Sequence, residues 1–379
     1  MNHENFYDCA IIGGGLGGLT LAITLSKKGY RIVLIEKEQY PFHKVCGEYI
    51  SMESWDFLTQ LGLPLKDMEL PVIKKLIVSA PSGNELSHEL PLGGFGISRY
   101  KIDYELKKIA VECGVTVMEH CKAADVIFNN NLFQIITSKG NFESKVCCGS
   151  FGKRSNLDIK WKRNFIKQSP NKLNNFIAVK YHVKFKSPED TIALHNFKDG
   201  YCGFSKIEDD KYCLCYLTNA ANLKNSNNSI EEMEKNILSK NPHLSTIFLL
   251  STKLYSSPLS ISQISFQQKA AVENHLLMIG DAAGLITPLC GNGMSMAMHA
   301  GKIASIHISD FLDGKTNRLQ MEIAYAGEWK KTFGNRLRTG RVIQRFFGKV
   351  WLTNLFIKTM KLFPSLTNMI IKQTHGDPF

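Results

Sequence analysis

The most constraining feature of this sequence is a glycine pattern that follows its first apolar run. Residues 6–12 can form a buried strand, and the glycines that follow are spaced as Gly13-x-Gly15-x-x-Gly18. A helical stretch and a second apolar run come next, and that run ends at Glu36. In such a unit the glycines form the turn and let a pyrophosphate approach the backbone, while the acid can accept a hydrogen bond from a ribose hydroxyl. The order of these parts predicts a dinucleotide-binding domain.

A second glycine-rich segment lies between residues 276 and 308. It contains an apolar strand, a turn at Gly280 and Asp281, a loop, and a helix predicted over Ser295–Ile308. Asp281 could hold the hydroxyls of a flavin ribityl chain, and the loop N–H groups at the positive helix end could face an electron-rich flavin ring. The alternative is an ordinary strand–turn–helix with a cap. The loop residues predicted to bind the cofactor are Pro288, Gly291, Asn292, Gly293 and Met294.

Together these segments resemble the p-hydroxybenzoate hydroxylase-like class of FAD-dependent oxidoreductases. Residues 43–51 are similar to the geranylgeranyl reductase-related branch, in which Lys-x-Cys-Gly follows the second strand, and residues 99–106 match the same branch. The resemblance spans residues 8–308. It implies FAD as the cofactor, a flavin domain interrupted by a substrate-binding sheet, and redox chemistry on an organic substrate. The further residues assigned to the FAD site are Lys37, Lys44, Cys46, Gly47 and Arg99.

The sequence departs from this class where an Asp-Gly pair tied to nicotinamide binding is expected. Ser150 and Phe151 stand at that position, so the electron donor stays open between NAD(P)H and another reductant. The reductase branch also tends to carry Tyr-x-Trp-x-Phe-Pro in its substrate sheet, and residues 200–205 lack the Trp and the Pro. The Trp-x-Trp-x-Ile-Pro signature of flavin halogenases is not found in this sequence.

The predicted fold class is α/β, with an FAD-binding Rossmann-like domain of the GR2 or p-hydroxybenzoate hydroxylase type. Alternating apolar residues predict an antiparallel sheet inserted into it as a substrate-binding domain. Residues 153–175 are basic and polar and are predicted to be a crossing linker, and residues 219–228 are predicted to be a polar loop. The predicted parts are an FAD domain over 1–71, 95–175 and 268–325, a substrate sheet over 72–94 and 176–267, and a basic amphipathic helical extension over 326–379.

Three residues are predicted to act in catalysis, namely Cys46, Glu48 and Tyr201. Cys46 is either a reactive thiolate beside Lys44 or a small packing residue. Glu48 either positions the substrate or donates a proton. Tyr201 lies on the predicted substrate sheet and is an acid, a base, an anchor or a structural residue, and the same alternatives hold for His182, His195 and Tyr216. No cluster has usable metal-ligand spacing, so no metal is expected.

These residues leave three functions open. The first is an FAD-dependent monooxygenase, or a related oxidase, acting on a hydrophobic aromatic or polyketide-like metabolite. The second is an FAD-dependent reductase that saturates isoprenoid or other lipid double bonds, as Lys44-x-Cys46-Gly47 indicates. The third is a non-catalytic flavin-binding or membrane-docking protein. Either enzyme would have a hydrophobic small molecule as its partner, and monooxygenation is placed first.

The positive charge of the chain is concentrated near its C-terminal end. The net charge is +12, and residues 330–379 hold ten Lys or Arg against one acid, Asp377. Apolar residues recur there at helical spacing, so we expect a helical face that packs on the flavin domain, with the lysines in solvent. The alternative is contact with an anionic membrane surface. No nucleic-acid motif accompanies the charge, and no nucleic-acid partner is expected.

The sequence predicts a cytoplasmic protein. It shows no signal segment, and no apolar run reaches the roughly 18 residues needed to span a bilayer. The ten cysteines are scattered and form no Cys-x-x-Cys pair, which favours reduced thiols. Peripheral contact with the inner membrane face is an alternative that the basic tail leaves open. The oligomeric state is left open as well.

Overall fold

The computed structural model describes residues 5–167, 175–285, 291–346, 349–363, 365, 367, 370–371 and 376–379. Its strands are β1 Phe6–Ile12, β2 Ile32–Ile35, β3 Tyr49–Ser51, β4 Val72–Ser79, β5 Glu85–Gly96, β6 Thr116–Met118, β7 Ala123–Asn129, β8 Leu132–Thr137, β9 Gly140–Gly149, β10 Phe176–Lys184, β11 Thr191–Phe197, β12 Gly200–Lys206, β13 Tyr212–Asn219, β14 Thr252–Lys253, β15 Leu259–Ile264, β16 Val272–Glu273 and β17 Leu276–Met278. Its helices are α1 Leu16–Ser26, α2 Trp55–Leu61, α3 Arg99–Glu112, α4 Asn156–Lys160, α5 Ala220–Lys224, α6 Ile230–Asn236, α7 Pro242–Leu250, α8 Gly293–Leu312, α9 Arg318–Phe346 and α10 Val350–Leu362.

The first sheet is built around parallel strands. In the described part of the chain its main order is β16-β17-β9-β1-β2-β6, with β8 paired to β9 and β7 paired to β8. β1 is parallel to β2 and to β9, and β17 is parallel to β9. β1 has the bounds predicted from the sequence, and β2 is buried along its whole length. Such continuous burial is typical of a strand covered on both faces of the sheet.

The second sheet is mainly antiparallel. Its described strands have the order β14-β10-β13-β12-β11-β4-β5-β3, with β15 beside β10, and only the β4–β11 pair among them is parallel. Side chains alternate along each strand, so the sheet has two faces. One face packs on α6 and α7 through a cluster that includes Val179, Tyr216 and Leu244. The opposite face, called the inner face below, carries Ala178, Lys180, His182, Leu194, Tyr201, Gly203, Cys213, Cys215 and Leu217.

Helices α1 and α8 pack so closely that glycine is required where they meet. An ideal Cβ on Gly17 would lie 2.8 Å from the Ala297 carbonyl oxygen, and one on Gly301 would lie 2.8 Å from the Gly17 carbonyl oxygen. α1 follows β1 and α8 follows β17, and both strands run in the same direction as β9. The two helices therefore begin at the same edge of the first sheet.

Three helices differ from the elements predicted between residues 153 and 250. The predicted linker contains α4, which begins with a capping box formed by Ser155 and Asp158. The predicted polar loop contains α5, which begins where the Asn219 side chain accepts a hydrogen bond from a backbone N–H. α7 has no counterpart in the sequence prediction, although Asn241 caps it and Pro242 opens it. These start signals are local and readable, but the short helices between them carry little periodicity.

The first of the two C-terminal helices begins before residue 326, where the sequence predicted the helical extension to start. α9 starts at Arg318, within the stretch 268–325 that the sequence analysis assigned to the FAD domain. Tyr325 and Trp329 of α9 belong to the main hydrophobic core with the first sheet. The predicted domain boundaries remain predictions. None of the helices in the described ranges combines the length and apolar character that crossing a bilayer requires.

Candidate functional site

Two uncapped helix ends meet at the carboxyl edge of the first sheet. α1 begins after Gly15 and α8 begins after Asn292, and neither start has a side-chain cap hydrogen bond among the described residues. The first N–H groups of a helix have no partner within the helix, and the dipole makes this end positive. This edge is therefore suited to an anionic or electron-rich ligand.

The three predicted glycines have different structural roles. Gly13 has a φ of +103°, and an ideal Cβ on it would lie 2.4 Å from the Ser150 carbonyl oxygen. A Cβ on Gly18 would lie 2.2 Å from the Gly13 carbonyl oxygen, so the fold requires both glycines. At Gly15, the nearest described atom to a Cβ would be Nη2 of Arg99, 3.6 Å away. The fold does not require a glycine at this position, but a ligand that approaches the backbone would.

Glu36 lies at the end of β2, beside the glycine turn. One carboxylate oxygen accepts the Gly14 N–H at 2.8 Å, and the other accepts the Glu38 N–H at 3.1 Å. The side chain is buried, which holds the carboxylate at the turn. The Lys37 side chain is 67 % exposed, and its Nζ lies 3.5 Å from Oε1 of Glu38 rather than at the turn. The structure therefore brings Glu36, but not Lys37, to the glycines.

Two cations stand beside the glycine turn and share one carboxylate. Nε and Nη2 of Arg99 each donate to Asp103 at 2.7 Å, and Nζ of Lys44 donates to Asp103 at 2.9 Å. Nζ of Lys44 also lies 3.4 Å from the Gly14 carbonyl oxygen. Burial opposes ionisation of Asp103, but Arg99 and Lys44 outweigh it and lower the pKa of this carboxyl. The cluster carries a net positive charge next to the turn.

The second glycine segment completes this edge. Gly280 and Gly291 have φ angles of +61° and +67°, which favour glycine. Asp281 lines a cavity with other residues of the segment and of α9. Lys269 donates to the Asp281 carbonyl oxygen at 2.8 Å, and burial lowers the pKa of its amine to about 8. The remaining predicted loop residues that are described, Gly293 and Met294, open α8, whereas Pro288 lies outside the described residues.

These features fit FAD. A ligand pyrophosphate can approach Gly15, Arg99 and Lys44 provide positive charge, and Glu36 presents a carboxylate to a ribose. The uncapped start of α8 presents N–H groups that an electron-rich ring would accept. Gly15, Glu36, Lys44, Arg99 and the described start of α8 at Gly293 thus converge on one sheet edge.

A buried charge cluster connects this edge to the second sheet. Glu48 is fully buried, and its carboxylate accepts from the Arg99 N–H at 2.8 Å and from Nε2 of His182 at 2.6 Å. Nζ of Lys180 also donates to Glu48, and it donates to the Lys44 carbonyl oxygen at 3.1 Å. Burial raises the pKa of Glu48, but Lys180 and His182 outweigh it and lower the pKa overall. Of the two predicted roles, an ionised Glu48 favours positioning over proton donation.

Sequence reasoning missed Lys180. The residue lies inside β10, where neighbouring positions are apolar, and its only signal is a charge in the middle of an otherwise buried strand. Lysine is almost never buried without a partner, so that signal could have indicated a buried ion pair. The identity of the partner could not be predicted, because Glu48 lies 132 residues earlier in the chain.

The charge cluster also contains three groups of metal-ligand type. The ligand atoms of Glu48, His182 and Cys213 all lie within 4.8 Å of one another. The sequence could not show this cluster, because the three residues lie on separate elements. Lys180 already contacts the Glu48 carboxylate, and a second cation there would be repelled. The expectation that the chain holds no metal stays a prediction.

Aromatic rings lie beside the buried His182 side chain. The His43 ring lies 5.3 Å from the His182 ring and stacks on Tyr100 at 4.6 Å, and Tyr255 lies 5.0 Å from His43. Burial, with help from Lys180 and His182, lowers the pKa of His43 to about 4. In the described part of the chain, Nδ1 of His43 and Nδ1 of His182 are buried without a hydrogen-bond partner. Nδ1 of His182 could thus still accept or donate a hydrogen bond, and the neutral His43 ring lies beside it.

Cys46 lies between the FAD edge and the inner face of the second sheet. Its carbonyl oxygen accepts a hydrogen bond from Sγ of Cys213 at 3.3 Å, which ties the loop to β13. Burial raises the pKa of Cys213 well above its usual value and that of Cys215 to about 12, so both thiols are neutral. Cys46 itself is only partly buried, and an ideal Cβ on Gly47 would meet no described atom within 4 Å.

Tyr201 is not brought together with Cys46 and Glu48. It pairs with Leu217 across the sheet, four residues along β13 from Cys213, a separation of about 14 Å. It packs in an apolar cluster that also contains Leu285 and Ile357. Between the two ends lies Gly203, where an ideal Cβ would come no closer than 3.6 Å to a described atom. The part of the inner face between Cys46 and Tyr201, called the apolar floor below, contains Leu194, Gly203 and Cys215, and Lys180 is paired with Cys215 beside them.

The other predicted sheet residues face away from this floor. The Tyr216 hydroxyl donates to Glu234 at 2.8 Å on the helix-covered face. Nδ1 of His195 lies 2.9 Å from the Ser79 hydroxyl, and the His195 ring stacks on His243. Burial lowers the pKa of His195 to about 3, so this histidine is neutral and structural.

We expect His195 to make the folded chain less stable in mild acid. Its pKa is lower in the folded state than in the unfolded state, so the unfolded state takes up the proton first, and stability falls as the pH drops below about 6.5. The slope is at most about 1.4 kcal/mol per pH unit for one residue. His195→Gln should flatten the pH dependence of the urea midpoint between about pH 6.5 and pH 5. His120→Gln, at an exposed histidine, is the control, and equal slopes in both variants would contradict the prediction.

Sequence comparison finds known proteins that are similar to this chain. Residues 11–45 match the model of the NAD(P)-binding Rossmann-like domain. The conditioned medium factor receptor 1 of Dictyostelium discoideum is 23% identical over 90% of this chain and 71% of its own length. The digeranylgeranylglycerophospholipid reductase of Methanococcus vannielii is 24% identical over 90% of this chain and 88% of its own length.

Solved structures show the same fold. The flavin-dependent brominase Bmp2 superposes with a TM-score of 0.79 at 23% identity, over 97% of this chain and 93% of that one. A geranylgeranyl bacteriochlorophyll reductase-like protein of Thermoplasma acidophilum gives 0.76 at 18% identity, over 97% and 92%. PqsL of Pseudomonas aeruginosa, described as a probable FAD-dependent monooxygenase, gives 0.73 at 14% identity, over 92% and 99%. The α/β fold and the resemblance predicted from the sequence are confirmed.

Proposed function

We propose that this chain, which has the fold of FAD-dependent halogenases, monooxygenases and reductases, is an FAD-dependent oxidoreductase acting on a hydrophobic substrate. The proposal is supported by the sheet edge at which a glycine turn, a buried acid, two cations and two uncapped helix ends converge. When bound and reduced, FAD would supply the electron pair that the reaction consumes. The protein would supply binding, orientation and exclusion of water.

Each part of the edge has a defined task toward the cofactor. Arg99 and Lys44 would contact the pyrophosphate, and Glu36 would accept from a ribose hydroxyl. Asp281 would accept from the ribityl chain, and the first N–H groups of α8 would face the flavin ring. Glu48 would hold Arg99 in place, because it accepts the Arg99 N–H while Lys180 and His182 balance its charge.

The geometry best supports reduction of a carbon–carbon double bond. Such a reduction adds a hydride to one carbon and a proton to the other, and an external reductant supplies the electrons. The observation that carries this proposal is the position of Cys46, between the FAD edge and the apolar floor of the inner face. Its thiol could transfer the proton. The reductase relative, whose name describes a lipid substrate, supports the same reaction.

Hydroxylation is the second candidate. Hydroxylation was the function favoured by the sequence, and the comparisons favour neither reaction over the other. The likeness to PqsL supports it, as does the apolar floor, which would also accept an aromatic ring. Hydroxylation consumes molecular oxygen, whereas double-bond reduction does not.

We expect turnover without oxygen, and we expect it to depend on Cys46. Purified protein with FAD and dithionite, or with NADH or NADPH, would be incubated with unsaturated prenyl lipids and with hydrophobic phenols, in air and under nitrogen. Mass spectrometry should show a gain of two hydrogens under nitrogen. Cys46→Ser should lower the rate by about 100-fold, the scale of a lost general acid.

Cys113→Ser is the matched control for the thiol, because Cys113 is also partly buried but lies at the end of α3. A product heavier by one oxygen atom that forms only in air would indicate hydroxylation instead of reduction. Unchanged turnover in Cys46→Ser would remove the assigned role of the thiol. No product in either atmosphere would favour a non-catalytic flavin-binding protein.

A further inference from the structure

The C-terminal helix α10 covers part of the inner face. Its residues Thr353, Ile357 and Met360 are buried. Ile357 belongs to the apolar cluster that contains Tyr201 and Leu285, at one end of the proposed substrate floor. The Asn354 side chain accepts a hydrogen bond from Ser82 at 2.7 Å, which anchors the helix to the turn between β4 and β5. α10 is therefore a folded part of the wall of the site.

The opposite side of α10 is apolar but exposed. Trp351, Leu355 and Leu362 are 67%, 54% and 67% exposed. With 3.6 residues per turn, these three positions project from the same side of the helix, opposite Thr353, Ile357 and Met360. Scattered apolar residues on a surface are ordinary, but three large apolar side chains on one side of one helix, with Lys358 between Leu355 and Leu362, mark an interaction surface. Phe363, the residue that follows α10, is also exposed, at 56%.

Positive charge borders these apolar side chains. Lys349, Lys358 and Lys361 are exposed on or beside α10, and the helix contains no acidic residue. The surrounding segment 330–379 holds ten Lys or Arg against one acid. A soluble partner would match such a charge as well, but large apolar side chains flanked by lysine are the pattern of a helix lying in an anionic lipid interface.

We infer that α10 docks the protein on an anionic membrane surface, and that the substrate is a lipid that reaches the inner face directly from the bilayer. The inference about docking rests on the two faces of α10. The inference about the substrate rests in addition on the proposed function. One face of the helix would lie in the interface while the other lines the end of the floor at Tyr201, so an apolar chain could enter the site without crossing water.

Vesicle binding tests the docking surface. The full chain loaded with FAD would be sedimented with phosphatidylcholine vesicles and with vesicles that also contain phosphatidylglycerol. We expect binding to the second kind, and Trp351→Ser/Leu355→Ser should weaken it about tenfold or more, because two large apolar side chains no longer enter the interface. The matched control is Leu249→Ser/Leu250→Ser on α7, where the leucines are 81% and 65% exposed on the other side of the sheet.

Two charge-reversal variants test the electrostatic contribution to vesicle binding. Lys358→Glu/Lys361→Glu should remove the preference for anionic vesicles, while Lys235→Glu/Lys240→Glu, which exchanges two exposed lysines near α6, should not. Point variants are preferable to deletion of residues 340–379, because Ile357 and Phe379 pack against buried parts of the chain and a deletion would remove those contacts.

The outcomes of these experiments distinguish a failure of the docking inference from a failure of the proposed function. FAD content should be the same in all four variants, so loss of FAD would point to misfolding rather than to docking. Absence of vesicle binding by the full chain, or equal losses in the α7 control, would overturn the docking inference. A change from dimer to monomer in Trp351→Ser/Leu355→Ser, without vesicle binding, would assign these apolar side chains to a contact with a second copy. Equal reduction of an unsaturated isoprenoid glycerolipid by the α10 variant in vesicles and in detergent would overturn direct entry from the bilayer.

Discussion

Gly15→Ala should leave the chain folded and colourless. The position has a φ of −81° that alanine adopts freely, and the added Cβ would lie 3.6 Å from its nearest described neighbour, Arg99. The fold therefore loses nothing by the change. A pyrophosphate drawn to the start of α1 would meet the methyl group, and we expect FAD binding to weaken by about 100-fold or more, which is about 2.7 kcal/mol. Visible absorbance of the purified protein and a fluorescence titration with FAD measure the effect.

Two comparisons make this result specific. Gly327→Ala places a methyl group on α9, where an ideal Cβ meets no described atom within 4 Å, and it should leave FAD binding unchanged. Gly13→Ala should instead reduce the yield of folded protein, because its Cβ would lie 2.4 Å from a backbone oxygen. If Gly15→Ala binds FAD as tightly as the unaltered chain, the proposed cofactor edge is wrong.

Glu48→Gln should cause the largest loss of stability of any single conservative change at this site. The substitution leaves the Lys180 ammonium buried without its counter-charge and weakens the hydrogen bond to His182. Removing one partner of a buried pair costs about 3–5 kcal/mol of unfolding free energy. Because this free energy usually falls by about 1–3 kcal/mol per molar urea, the urea midpoint should fall by about one molar or more. The exposed Lys75–Asp190 pair is the control, and Asp190→Asn should cost less than about 1 kcal/mol.

Two further measurements separate charge pairing from simple packing at Glu48. Glu48→Gln/Lys180→Met should lose less than the sum of the single variants, because both charges are gone. The pKa of Glu48 is lowered in the folded state, so its contribution is complete above the unfolded pKa of about 4.5 and is lost as the pH falls through the lower folded value. The difference between Glu48→Gln and the unaltered chain should accordingly shrink only below about pH 4.5. Additive losses that do not change with pH would contradict the pairing.

Much of the cofactor edge could be predicted from local sequence. The order of strand, glycine turn, helix and acid was sufficient to predict β1, α1 and the position of Glu36. The segment from Gly280 to Met294 predicted the start of the second helix, α8. Local pattern is less informative where a side chain only completes a site built elsewhere. Lys37 was also assigned to the cofactor site, and that assignment stays a prediction, because the structure places its side chain in solvent beside Glu38.

The catalytic predictions show the same limit. Cys46 and Glu48 came from one motif, and both lie at the junction of the two sheets. Tyr201 came from its place on a predicted strand, and its strand was right, but its distance from Cys46 depends on the register between β12 and β13. The basic tail was expected to pack on the flavin domain, and Phe379 does join the main core, whereas Ile357 packs on the second sheet.

The sequence alone determined the local units of this protein, because hydrophobic period, glycine spacing and end signals act between residues close in the chain. It thereby determined the Rossmann unit, the glycine-rich start of α8 and the basic character of the tail. Only the tertiary structure decided which units meet. It brought Lys180 and His182 to Glu48 across more than 130 residues of chain, and it turned one side of α10 toward Tyr201 and the other toward solvent. Those contacts depend on strand register and helix packing, which are set by burial of the whole chain rather than by neighbouring residues.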